Sequence, residues 1–266
     1  MARKISVLIP AYNRLNALIA ALTALTAQTY RDFEVIVSDQ SDSFAGNDLT
    51  IQTLIRILEL HSHPVKVLYN IPKKGIAHQR QFLLDHASGD YSLFMDDDVV
   101  LEPDVIGRML KALEEEKTGF CGMALIGLSY LNDVRPHQHA IEFWEDKVQP
   151  ETIRPGTKEW MRYPLHNAAN ILHVGQKLNI TPHQQKKYKI AWVGGCILYD
   201  TKKLRETGGF SFWEQLPEEH CGEDVLAQHR LMKEHGGFGL IPSGAYHLEL
   251  PTTIMNREVN APEYLV

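Results

Sequence analysis

Apolar positions in the first half of the chain switch between the two periods that specify strand and helix. Ile5-Ser6-Val7-Leu8-Ile9 is a β-rich run closed by Pro10. Leu15, Leu18, Ile19, Leu22 and Leu25 then recur at the spacing of one helix face, with Asn13 or Asn16 available as a cap. Residues 33–37 predict a second strand ending at Ser38-Asp39, Leu49–Leu60 a second helix, and Val65–Tyr69 a third strand. Residues 75–88 read as a helix stopped by Gly89. Tyr91–Met95 is a fourth strand that runs directly into Asp96-Asp97-Asp98, and Pro103 suits the first turn of a helix reaching about Glu116.

This alternation predicts an α/β fold: a Rossmann-like, mostly parallel sheet with helices on both faces. In such sheets ligands bind outside the carboxyl ends of the strands. Residues 10–14, Asp39 and the aspartate triplet therefore converge on one edge. The second half is less regular. Residues 120–128 and 190–199 read as strands, the latter with an internal Gly194-Gly195. Glu223–His235 reads as a helix stopped by Gly236-Gly237, and 238–241 as a last strand. Between them, 129–189 carries weak periodicity and several prolines, which predicts short helices and ordered loops forming a functional wall. No linker divides the chain, so 1–266 is expected to be one domain.

Composition narrows the chemistry. The 27 Lys and Arg against 33 Asp and Glu leave a net charge of −6 over 266 residues, which argues against a nucleic-acid binder. A small phosphorylated ligand stays compatible, because a divalent ion held by carboxylates supplies positive charge. Cys121, Cys196 and Cys221 form no C-x-x-C and read as small buried hydrophobes in a reducing compartment. No segment reaches the ~20 apolar residues of a membrane span. Arg3-Lys4 before an apolar run looks like a signal peptide for five residues, until Pro10 and Arg14 interrupt it. A cytoplasmic protein is expected, for which the Asn179 sequon is irrelevant, with peripheral membrane association left open.

Several motifs are absent: G-x-G-x-x-G after the first strand, G-x-x-x-x-G-K-[ST], G-x-S-x-G and H-E-x-x-H. What remains is acidic. Three adjacent carboxylates repel one another, so Asp96-Asp97-Asp98 needs a reason. One is a solvated loop capping the next helix. The other is a hard-cation site, since Mg²⁺ or Mn²⁺ takes one or two carboxylates and fills its shell with phosphate oxygens and water. Strand alternation would turn Asp96 and Asp98 to one ligand and Asp97 away, unless the loop breaks the alternation.

The stretch Phe94-Met95-Asp96-Asp97-Asp98-Val99-Val100-Leu101-Glu102-Pro103-Asp104 resembles the D-x-D segment of glycosyltransferases with the GT-A fold, and among them the family 2 nucleotide-sugar transferases. Val7-Leu8-Ile9-Pro10-Ala11-Tyr12-Asn13-Arg14 is similar to their first strand and loop. The run from Gln28 to Asp39 resembles their second strand, with Lys74-Gly75-Ile76-Ala77-His78-Gln79-Arg80 next. Gly222-Glu223-Asp224-Val225 resembles the acidic pair carrying their catalytic base. The likeness is good over 1–104 and fair over 192–230. Gln40 after Asp39 departs from the usual pattern. The Q-x-x-R-W segment of processive members is missing, which implies addition of a single sugar.

The resemblance implies roles. Pro10, Ala11, Tyr12 and Arg14 would line the nucleotide pocket, Asp39 would accept a hydrogen bond from the base, and Lys74 and Arg80 would serve base or phosphates. Asp96 or Asp97 would touch the ribose, while Asp98, with Asp96 and His247, would hold Mn²⁺ or Mg²⁺. Asp224 is the preferred general base, with Glu223 second and Glu218 or Glu219 nearby. Gly194, Gly195, Trp192 and Trp213, with Trp144 and Trp160, are candidates for the acceptor side. On this reading, 1–104 binds the nucleotide sugar and 105–266 the acceptor. The enzyme is then an inverting, metal-dependent hexosyltransferase of polysaccharide or glycoconjugate biosynthesis, using a donor that is UDP-linked and a carbohydrate or glycoconjugate acceptor. The alternatives are a sugar nucleotidyltransferase, which would carry a Gly-rich loop after strand one, and an inactive nucleotide-sugar-binding module.

Overall fold

Continuous apolar runs bury both faces of a strand, which suits them to the middle of a parallel sheet covered by helices. The computed structural model describes residues 5–265 and bears this out; Arg3-Lys4 lies outside the described residues. The first half runs β1 (Ile5–Ala11), α1 (Leu15–Thr26), β2 (Phe33–Asp39), α2 (Leu49–Leu60), β3 (Val65–Tyr69), α3 (Ile76–His86), β4 (Tyr91–Met95), β5 (Val99–Leu101) and α4 (Val105–Glu116). The second half contributes β6 (Phe120–Gly122), β7 (Ile126–Gly127), α5 (Asn170–Lys177), β8 (Lys186–Tyr188), β9 (Cys196–Asp200), α6 (Thr201–Glu206), α7 (Glu223–His235), β10 (Gly237–Ile241), β11 (Ala245–His247) and α8 (Ala261–Tyr264).

Eight strands form one sheet in the order β3-β2-β1-β4-β9-β6-β10-β8, taken from both halves. Pairs β1–β2, β1–β4, β2–β3 and β6–β10 are parallel, whereas β9 runs antiparallel to β4 and β6. Val7, Ile9, Val35, Val37 and Leu93 pack with residues of α1, α2 and α4 in one core. Leu8, Ile36 and Phe94 pack with α3, α5 and α7 in the other. Adjacent strand residues thus feed opposite layers, as a period of two requires.

The differences from the sequence reading have local causes. β1 runs past Pro10 to Ala11, whose carbonyl accepts the Gln40 N–H. The helix of 75–88 ends at His86, because the Ser88 and Gly89 N–H groups donate to Ser6 Oγ. The 120–128 run splits into β6 in the large sheet and β7 in a second, three-stranded sheet. The 190–199 run becomes strand only from Cys196, since Gly195 at φ +75° sits in the left-handed region, and β9 extends one residue past it to Asp200. The expected short helices of 129–189 are present: turns of helix at Pro136–Gln138 and Trp160–His166, then α5.

The second sheet, β5-β11-β7, matters for the site. It pairs β11 with β5 and sets His247 opposite Val99, directly after the aspartate triplet. Among the described residues, no helix is long and apolar enough to cross a membrane.

Candidate active site

The carboxyl ends of β1 and β4, the start of α7 and the chain after β11 enclose a cavity of about 470 Å³. Gly222 caps α7 at φ +75°, and a Cβ there would lie 2.2 Å from Asn260 Oδ1. The glycine lets the first turn of α7 present Glu223 and Asp224 to the cavity.

Arg80, on α3 and 5% exposed, joins two of the acids. Its Nε donates to Glu223 Oε1 at 2.8 Å and its Nη2 to Asp96 Oδ1 at 3.1 Å. Burial disfavours its charge, but Asp96, Glu223 and Asp224 outweigh that and hold the guanidinium firmly ionised. Glu223 is 4% exposed and spent on this contact. Asp224 has no ion-pair partner among the described residues, and its Oδ1 accepts only the adjacent Val225 N–H, at 2.8 Å. Burial, then the charge of Glu223, pushes its carboxyl up to about 7, with Arg80 opposing and Asp96 reinforcing. A carboxylate that gains a proton near neutrality is suited to acid–base work.

The aspartate triplet does not follow strand alternation. Asp96 lies beyond β4 and its carbonyl accepts the Val99 N–H, so Asp97 and Asp98 lie in a turn. Asp96 pairs with Arg80, while Asp97 and Asp98 share Arg14: Nη1 is 3.3 Å from Asp97 Oδ1 and 2.8 Å from Asp98 Oδ2. Arg14 Nη2 also donates to the Pro251 carbonyl. Asp97 takes a long bond from the Tyr12 N–H, at 3.4 Å, and burial, against the pull of Arg14, pushes it up to about 7. Asp98 is held low: burial works against its charge, but the hydrogen bond and charge of His247, with Arg14, prevail. That bond raises His247 in turn.

Asp98 Oδ2 and His247 Nε2 lie 3.3 Å apart. Neighbouring corners of an octahedron with bonds of about 2.1 Å are separated by roughly 3.0 Å, so this oxygen–nitrogen pair fits two adjacent positions around a divalent ion. Among the described residues no three His, Cys, Asp or Glu side chains converge on one point, so an ion bound here would need phosphate and water oxygens to complete its shell. Asp96, engaged by Arg80, is not part of this pair.

Other sequence candidates separate clearly. Pro10, Ala11, Tyr12, Arg14 and Arg80 line the cavity. Asp39 does not: it is 0% exposed, and its oxygens accept the Ser41 and Ala45 N–H groups at 2.9 and 2.6 Å. Lys74 is turned out, over the Trp213 ring, and Lys73 instead lies 4.4 Å over the Tyr12 ring. Gly195 is where a Cβ would meet Leu125 at 2.4 Å, with Asp96 Oδ2 at 3.2 Å, and Gly194 lies beside Asp224. Gly195 serves close packing behind the acids, whereas a Cβ on Gly194 would meet Asp224 Oδ2 only at 3.9 Å. Trp192 stacks on Tyr163 and contacts Trp160 in an aromatic cluster outside the cavity, Trp213 packs on His78, and Trp144 against the core. Glu218 and Glu219 line a neighbouring small cavity with Tyr12, Lys73 and Gln40.

Two features escaped the sequence reading. Gln40, 5% exposed, lines that small cavity, and its Nε2 has no hydrogen-bond partner among the described residues. The chain after β11 forms a strap in which Leu250, Thr252, Ile254 and Arg257 wall the main cavity. It is tied down by Cys221, which exchanges backbone bonds with Val259 and Ala261. No periodic pattern marks such a strap.

The model of the family described as "Glycosyl transferase family 2" matches residues 6–173. An uncharacterized glycosyltransferase of Haemophilus influenzae is 28% identical over 146 residues, 52% of this chain and 47% of that protein. The Escherichia coli UDP-Glc:alpha-D-GlcNAc-diphosphoundecaprenol beta-1,3-glucosyltransferase WfgD is 31% identical over 94 residues, 35% of this chain and 34% of that protein. The matched segment thus spans less than half of either relative. Among solved structures, S. aureus TarS 1-349 in complex with UDP-GlcNAc aligns with a TM-score of 0.57 at 18% identity, covering 95% of this chain and 60% of that one. The Pyrobaculum calidifontis mannosyltransferase PcManGT, with GDP-Man and Mn2+, gives 0.54 at 17% identity, over 90% and 57%. These likenesses show a shared GT-A fold.

Proposed function

This chain belongs to glycosyl transferase family 2, and on that premise we propose that it moves one sugar from a nucleoside-diphosphate donor to a hydroxyl acceptor with inversion. The observation that carries this is the meeting, in one cavity, of the Asp98–His247 pair with a carboxylate at Asp224 that has no ion-pair partner among the described residues. The UDP-GlcNAc complex of TarS and the UDP-Glc named for the E. coli relative support a UDP-linked donor. The same relative's name supports a sugar on a polyprenyl diphosphate as acceptor.

Asp98 Oδ2 and His247 Nε2 would hold Mn²⁺ or Mg²⁺, which as a Lewis acid neutralises charge on the departing diphosphate. The Mn2+ complex of the P. calidifontis enzyme supports use of a divalent ion. Arg80 holds Glu223 to one side, leaving Asp224 to accept the acceptor's hydroxyl proton. The acceptor oxygen bonds to the anomeric carbon as that carbon's bond to the diphosphate oxygen breaks, and the nucleoside diphosphate leaves with the electron pair. Tyr12, Lys73 and Gln40 would enclose the base. Asp39 shapes their loop from behind through its bonds to Ser41 and Ala45.

Thermal unfolding with UDP, GDP or dTDP, each with and without Mn²⁺, tests the reading. Ligands that bind the folded state raise its melting temperature, and UDP with Mn²⁺ is expected to raise it more than the two separate shifts combined. No shift with any of the three nucleotides contradicts it. Pyrophosphate release from UTP and a sugar phosphate would instead select a nucleotidyltransferase.

A further inference from the structure

Arg14 stands between β1 and α1 with its guanidinium shared three ways. Nη1 is 2.8 Å from Asp98 Oδ2 and 3.3 Å from Asp97 Oδ1, and Nη2 donates to the Pro251 carbonyl. Asp98 Oδ2 also faces His247 Nε2 at 3.3 Å, so both of its lone pairs are engaged. The strap is drawn to the same aspartate a second time, through the Leu248 N–H on the Asp98 carbonyl at 2.9 Å. Arg14 therefore neutralises two adjacent carboxylates and pins the strap that walls the cavity.

A divalent ion on Asp98 Oδ2 would stand a few ångströms from this guanidinium, where like charges repel strongly. Asp97 and Asp98 do not need both cations. A diphosphate, by contrast, supplies the anionic oxygens that a displaced guanidinium binds best. Resting on the ion site of the proposed function, we propose that Arg14 is the site's internal counter-cation. It balances Asp97 and Asp98 before the donor arrives, and it passes to the donor's diphosphate when the ion takes Asp98, releasing Pro251. Arg14 is then a positioning residue that couples ion binding to donor binding. The ion binds weakly alone, because the guanidinium has nowhere to go, and tightly once the diphosphate accepts it.

The test measures Mn²⁺ affinity by electron paramagnetic resonance, with the full chain, in the absence and presence of UDP. Arg14→Gln is expected to bind Mn²⁺ alone at least tenfold more tightly than wild type, a gain that loss of a merely structural residue does not produce. Arg14→Lys, which keeps the charge, is expected to retain the weak wild-type affinity. UDP is expected to tighten Mn²⁺ binding less in Arg14→Gln than in wild type. Asp98→Asn is the control and is expected to lose Mn²⁺. Mn²⁺ binding that Asp98→Asn abolishes but Arg14→Gln leaves equal or weaker overturns the role of Arg14 and spares the ion site. Absence of Mn²⁺ binding in wild type, with and without UDP, overturns both. Should Arg14→Gln fail to fold, a crystal structure of the wild type with UDP and Mg²⁺ decides: the guanidinium on the diphosphate supports the inference, and one still 2.8 Å from Asp98 overturns it.

Discussion

Arg80 Nε donates a 2.8 Å hydrogen bond to Glu223 Oε1, and this contact separates the surroundings of two adjacent acids. Glu223 is spent on a buried ion pair, while Asp224, one residue on, has no ion-pair partner among the described residues. Asp224→Asn is expected to lower kcat about 10²–10⁴-fold, the usual weight of general-base catalysis, with UDP binding unchanged. Steady-state kinetics beside a UDP titration checks this. Turnover within a factor of three of wild type removes Asp224 as the base.

Glu223→Gln is expected to act differently. It leaves Arg80 buried with one carboxylate fewer, so it should destabilise the fold by about 3–5 kcal/mol, the cost of breaking a buried pair from one side. Urea unfolding measures it; a cost under about 1 kcal/mol would mean that the Arg80–Glu223 contact is not a structural tie.

The raised Asp224 carboxyl sets a pH dependence. As a base it must be ionised, so kcat/KM is expected to fall as pH drops through about 7. Stability runs the other way. Between the ordinary carboxylate value and about 7 the folded state binds the extra proton, so ionisation at higher pH weakens the fold. Asp224→Asn is expected to raise the melting temperature at pH 8 by about 2–6 °C, with no advantage left below about pH 4. An equal shift at both pH values would contradict the assignment.

Two glycines of like backbone conformation separate strain from crowding. Gly195 and Gly156 have φ of +75° and +81°, but a Cβ on Gly195 meets Leu125 at 2.4 Å, whereas one on Gly156 meets nothing within 4 Å. Gly156→Ala is expected to cost about 1 kcal/mol, from conformation alone. Gly195→Ala is expected to cost about 2–4 kcal/mol, because the core must also give way. Equal costs in denaturant unfolding would refute the close packing behind Asp96.

The α/β layering was legible because β1, β2 and β4 are mostly apolar and buried on both faces, with only Ser6, Glu34, Ser38, Asp39 and Ser92 interrupting them, and α2 and α7 have the bounds their periodicity predicts. The acids at the cavity were legible for a related reason: charges placed directly after an apolar strand, or at a helix start, stand out from the pattern around them. What sequence could not supply was pairing. Asp39 looked available until its two oxygens proved to hold the Ser41 and Ala45 N–H groups, and nothing in the sequence pairs Asp96 with Arg80 or Asp98 with Arg14. Both outcomes depend on loop geometry. The strap escaped notice because its residues are held by the Arg14 side chain and the Cys221 backbone and not by an apolar face.

Hydrolysis of nucleotide sugars followed by proton NMR tests the central claim most directly. With Mn²⁺ present, the chain is expected to release UDP from a UDP-linked α-sugar with the β anomer appearing first, and to lose that activity on chelation or in Asp224→Asn. Release of the α anomer first, or metal-independent release that Asp224→Asn does not slow, would contradict it.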